Sequence, residues 1–218
     1  MSAKFSTASL PAVAFANNRL LQILPVAFVL TWVAFYFNCI DKTDWFIENI
    51  LVFIFAFFIT ITYKHFRFSD ASYVCFFLFL LLHIFGAQYA YTKNPLGGWL
   101  QNTYHLWRNP YDRIVHFSFG LFLAYPLRDI LINRLKVKGR WQYILPVEIT
   151  LSLACIFELI EWMVAAVTTK ETGETYVATQ GDVWDAHKDI AVAVVGAIIT
   201  MLVVYYFNKN KKKDLNEV

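Results

Sequence analysis

A chain of 218 residues that is 58% hydrophobic, with phenylalanine at 21 positions, is too apolar for an ordinary soluble domain. Its net charge of +3 is spread unevenly and nothing in it points to nucleic acid, while Cys39, Cys75 and Cys155 lie in different apolar segments without CxxC spacing and read as packing residues. The chain is expected to form one all-α integral membrane domain over residues 1–218, embedded in the lipid bilayer, with no room for a separate soluble domain.

From the N-terminus, Met1 to Leu20 reads as a cytoplasmic leader. Ala14-Phe15-Ala16 has the small-x-small form of a cleavage site, but the stretch before it is polar and interrupted by Pro11. Six apolar spans follow, at residues 21–40, 46–63, 72–91, 114–132, 143–167 and 186–207. Each is near the ~20 residues that carry a helix across ~30 Å of hydrocarbon. Leu, Ile, Phe and Val dominate them without period-2 alternation, which predicts helices and not barrel strands. The connection over residues 92–113 carries Trp99, Tyr104, Trp107 and Tyr111 and suits a segment lying at headgroup level. Pro126 is expected to bend the fourth span, whereas Pro25 and Pro146 are expected near helix starts, where proline costs little.

Positive charge beside a span resists translocation. With the N-terminus inside, the inner side holds thirteen of the 19 lysines and arginines, including Arg128, Arg140 and the Lys209 to Lys213 cluster. The outer side holds Lys42, Lys93, Arg108, Arg113, Lys170 and Lys188. An even number of spans places both termini in the cytoplasm.

Charged residues at membrane depth are costly and mark function by default. Glu158 and Glu161 are three residues apart, hence on one face of the fifth span. Asp182, Asp185 and Asp189 fall on one stripe at the entry to the sixth. Asp112 and His116 share a face one turn apart at the start of the fourth. The orientation above brings these groups to one extracytoplasmic end, where His83 on the third span also points to the same site. Arg113 and Lys188 are too few to balance the acids, so bound protons, a cationic ligand or a divalent metal must supply the rest. Glu158, Glu161, Asp185, Asp189 and His116 form a ligand set suited to Mn, Zn, Mg or Fe.

Plainer readings stand beside this one. Asp182 is equally suited to capping the last helix, with Asp185 favoured by its dipole. Glu161, next to Trp162, also fits an exposed acid at the headgroup boundary, and His83 a packing hydrogen bond. His65 and His105 read as solvated or interfacial, His187 falls off the acidic stripe, and Glu148 is expected to pair with a base such as Arg128. No GxSxG, Walker, GxGxxG or HExxH motif occurs.

The ordered set 83–91 (HIFGAQYAY), 111–117 (YDRIVHF), 157–162 (FELIEW) and 179–185 (TQGDVWD) resembles the YjdF family of bacterial inner-membrane proteins. A more distant similarity is to VanZ-like proteins, which pair an Asp-x-x-x-His helix start with a later Glu and an Asp-containing last helix. The resemblance implies a multi-pass protein of the bacterial inner (plasma) membrane and carries no established activity with it. The leading expectation is a periplasmic acid/histidine site, metal-dependent and acting on a lipid or cell-envelope substrate, with Asp112 orienting His116. A small proton- or cation-coupled transporter using the same acids is one alternative. A non-catalytic envelope assembly factor is another.

Overall fold

The computed structural model describes residues 15–169, 173 and 176–214. Most of the leader lies outside the described residues; Phe15–Asn17 form a 3-10 turn ahead of the first helix. The helices are α1 (Arg19–Asn38), α2 (Lys42–His65), α3 (Asp70–Gln88), α4 (Pro95–Thr103), α5 (Tyr111–Asn133), α6 (Trp141–Val167) and α7 (Asp185–Asp214). All but α4 are long and apolar enough to cross a membrane.

Their starts follow local chemistry. Asn18, Asp41, Ser69 and Asn94 each turn a side-chain oxygen onto the first free amides of α1, α2, α3 and α4, and Pro95 follows the last of these caps. Because α1 begins at Arg19 and α6 at Trp141, Pro25 and Pro146 stand inside those helices and not in their first turns. The connection 92–113 contains α4, since Asn94-Pro95 is a cap followed by a residue preset for helix.

The third span ends at Gln88, short of the expected Tyr91. Ala90 and Tyr91 adopt positive φ, 47° and 49°, and fold the chain back so that the Tyr91 ring lies over Gly86. A Cβ on Gly86 would stand 2.7 Å from that ring. Gly86 therefore makes room for the Tyr91 ring.

The helices alternate in direction. At one end Asn18 Nδ2 donates to Asp70 Oδ1 at 2.7 Å, and Asp129 Oδ2 accepts from Ser69 N at 2.7 Å and Ser72 Oγ at 2.8 Å, clamping the end of α5 to the start of α3. Asn208 Nδ2 reaches Tyr143 Oη at 3.2 Å at the same end. At the other end lie the starts of α2, α5 and α7. Helix α5 is the hub, packed on α3, α6 and α7, while α1 and α2 lean on α3.

Contact between α5 and α7 is backbone to backbone. A Cβ on Gly120 would overlap the Ala193 carbonyl oxygen, and one on Gly196 the Phe117 carbonyl oxygen. Small residues of this kind let membrane helices close without a hydrophobic drive between them. Apolar side chains such as Phe57, Leu30 and Phe207 stay exposed on the outside, as lipid contact requires, while polar residues concentrate within.

Candidate functional site

The alternating directions bring the early turns of α5, the late turns of α6 and the start of α7 to one end of the bundle. A helical offset of four residues puts Arg108, Asp112 and His116 in one row, although Arg108 precedes the helix proper. His116 Nε2 lies 3.6 Å from Asp112 Oδ1 and 3.5 Å from Glu158 Oε1. Ligand atoms of His116, Glu158 and Glu161 lie within 4.8 Å of one another, as do those of Asp112, His116 and Asp189. His116 thus belongs to two overlapping groups contributed by three helices. Two oxygens in them, Glu158 Oε1 and Asp189 Oδ1, are buried without a hydrogen-bond partner among the described residues, Asp189 Oδ1 lying 3.8 Å from Arg113 Nε.

Asp185 stands apart from the imidazole. It receives Arg108 Nη1 in a close ion pair and Arg113 Nη2 at 3.1 Å. Arg108, only 3% exposed, also donates to the Thr179 carbonyl at 3.3 Å and the Ala178 carbonyl at 3.2 Å, and lies 3.5 Å from Asp112. Gln180 closes the same junction: its side chain accepts from Asn109 N and donates to Asn109 O, each at 3.0 Å. The connection before α5 and the one before α7 are thereby stitched together over the acids.

Asp182 is a rim residue. It pairs closely with Arg113, accepts from Lys188 Nζ at 2.6 Å, and caps the entry to α7 by accepting from Trp184 N at 3.1 Å. The Lys188 hydrogen bond, reinforced by Trp184 N–H and Arg113, outweighs partial burial and holds the Asp182 carboxyl down at about 2. Both readings of Asp182, cap and charged network, describe the same geometry.

His83 faces the cluster across a cavity of about 50 Å³ that it lines together with Glu48, Asp112, His116, Glu161 and Tyr91. That volume holds an ion with water and little more. His83 is fixed at both nitrogens: Nδ1 pairs with Tyr91 Oη at 2.6 Å and Nε2 with the Glu48 carbonyl at 3.1 Å. Burial holds the Tyr91 hydroxyl protonated well beyond the usual phenol range. Donation from Tyr91 to Nδ1 then leaves the Nε2 hydrogen for the Glu48 carbonyl, giving a neutral imidazole.

The eight residues singled out from sequence therefore separate by position. Asp112, His116, Glu158, Glu161 and Asp189 form two trios that share His116, with Asp112 also 3.5 Å from Arg108 and Asp189 3.8 Å from Arg113; His83 borders the adjoining cavity, and Asp182 and Asp185 hold the close ion pairs to the arginines. Glu48, Tyr91 and Arg108 were missed. Glu48 had a signal, a charge inside the apolar 46–63 stretch. Tyr91 reaches the site only through its turn, and Arg108 was assigned to the outer connection among interfacial aromatics. Glu148 and Arg128 do not pair; Arg128 donates to Gln142 Oε1 at 2.7 Å. His187 packs edge-on against Trp184, ring centroids 5.3 Å apart, outside the cluster.

Comparison with known proteins places this architecture. Residues 20–210 match the family described as "Predicted membrane protein (DUF2238)". The chain belongs to that family. This DUF2238 member is 32% identical over 185 residues to the inner membrane protein YjdF of Escherichia coli (strain K12), covering 84% of this chain and 88% of the relative. No solved structure matches it. With its six candidate spans, it is a multi-pass protein of the bacterial inner membrane.

Proposed function

We propose that the acid–histidine cluster holds a divalent cation and that the protein is a metal-dependent enzyme acting on a lipid or cell-envelope substrate. One observation carries this reading. His116 Nε2 and Glu158 Oε1, 3.5 Å apart, are too far for a good hydrogen bond, and the oxygen has no hydrogen-bond partner among the described residues. Two donors each about 2.1 Å from a shared ion stand roughly 3.5 Å apart in a tetrahedral arrangement. Glu161 completes one trio with His116 and Glu158, and Asp112 and Asp189 form a second trio with His116; each is an N/O donor set of the kind Mn, Fe or Zn accepts.

The ion would supply Lewis acidity and a nucleophilic water. The chain's own residues have separate tasks. Asp185, held by Arg108 and Arg113, anchors the arginines over the site; His83 and Tyr91 present a neutral imidazole and a protonated hydroxyl to the cavity. The position of the cluster toward one end of the spans is what favours a substrate carried by the membrane or the envelope.

Metal analysis of purified protein after chelation and reconstitution tests the proposal. About one ion per chain, bound by the parent and absent from the Glu158→Gln and Asp189→Asn variants, is expected. A parent indifferent to Mn, Zn, Mg and Fe overturns it, and cation-linked uptake in vesicles would turn the same acids into carriers.

A further inference from the structure

At the end of the bundle opposite the acid–histidine cluster, a groove of about 710 Å³ runs between the start of α6 and the end of α7. Arg140 and Lys209 flank its mouth, and Val147, Ile198, Met201 and Leu202 line it deeper along the two helices. Ile144 and Leu202 are exposed along it, so the groove opens sideways to the bilayer.

Behind the mouth stands a charge that nothing in the fold explains. Arg128 on α5 is 7% exposed, yet among the described residues no carboxylate pairs with it and its Nε has no hydrogen-bond partner. Its contacts are neutral: Gln142 Oε1 at 2.7 Å and the Tyr143 ring, 5.1 Å from the guanidinium. Both residues are walls of the groove. A guanidinium stays protonated in proteins, and burying it without a counter-charge is costly. Arg140 and Lys209 line the groove, and Arg128 stands behind its walls Gln142 and Tyr143. The groove's acid, Glu148, lies about 12 Å deeper along α6 than Arg140.

We propose that this groove binds an anionic phospholipid of the adjoining leaflet. Its phosphate sits against Arg140 and Lys209 with Arg128 behind them, and one acyl chain runs along Val147, Ile198 and Leu202. A cationic mouth over an apolar channel open to hydrocarbon matches both parts of such a molecule. The site is independent of the acid–histidine cluster.

The test titrates the purified full-length protein in detergent with phosphatidylglycerol, phosphatidylethanolamine or inorganic phosphate, following retained lipid by native mass spectrometry and Tm by thermal unfolding. Phosphatidylglycerol should be retained and raise the Tm, phosphatidylethanolamine should bind at least about fivefold more weakly, and inorganic phosphate should leave the Tm unmoved. Arg140 and Lys209 are exposed, so R140Q/K209Q should fold normally. It should lose roughly 25-fold in phosphatidylglycerol affinity, at about fivefold per cation. Val147→Trp, which fills the channel, should weaken retention with the cations intact. Equal retention of the two phospholipids, stabilisation by inorganic phosphate matching that by phosphatidylglycerol, or parent-like binding by R140Q/K209Q overturns the proposal.

Discussion

His116 Nε2 and Glu158 Oε1, on neighbouring helices, face each other across 3.5 Å, and among the described residues no atom is hydrogen-bonded to the glutamate oxygen. The gap is too wide for direct bonding and suited to a shared ion. That relationship sets the first prediction. His116→Ala and Glu158→Gln should each abolish metal binding, and the double variant should be no worse than either single one. At an ion concentration 100 times Kd the parent should gain about 2.7 kcal/mol on metal addition, and both variants close to none. Variants that keep the full metal-induced rise in Tm would remove His116 and Glu158 from the ligand set.

The α5–α7 contact predicts a contrast between glycines. Gly120→Ala and Gly196→Ala drive a Cβ into carbonyl oxygens of the facing helix and should destabilise by about 1–3 kcal/mol or more. Gly98, within α4, has open space around its absent Cβ, so Gly98→Ala should stabilise by roughly 0.5–1 kcal/mol. Thermal unfolding in one detergent ranks the three, and equal effects would disprove the backbone contact.

Asp182 predicts a pH dependence of defined sign. Its folded carboxyl is held at about 2, below the ordinary 3.8, by Lys188, Trp184 N–H and Arg113. A depressed carboxyl stabilises the fold fully above its unfolded value and loses that contribution as pH falls through the folded one. The Tm advantage of the parent over Asp182→Asn should be constant above about pH 5 and vanish between about pH 4 and pH 2. An advantage unchanged at pH 2 would assign it to shape and not to charge.

Topology is testable without knowing the reaction. In a background with the native cysteines replaced by serine, a cysteine at exposed Asn102 should react with an impermeant thiol reagent in spheroplasts. One at exposed Lys138 should react only after lysis. The reverse pattern would move the acid–histidine cluster to the cytoplasmic end.

The six spans were legible because crossing hydrocarbon imposes length and composition directly on the residues, with no need for distant partners. Helix faces were legible too: spacings of three and four put Glu158 with Glu161 and Asp112 with His116 before any packing was known. Which acid sits beside which base depends on how helices rotate against one another. That rotation is set by the contacts of Gly120 and Gly196 between α5 and α7, which bring Asp189 within reach of His116 and pair Asp185 closely with Arg108 and Arg113. Tyr91 reaches His83 through two left-handed residues, a backbone reversal that an apolar run conceals. Sequence by itself determined the class, the spans and the pool of charged groups, because those follow from solvation residue by residue. Tertiary structure alone decided the pairing, because partners at angstrom separation are chosen by packing between segments far apart in the chain.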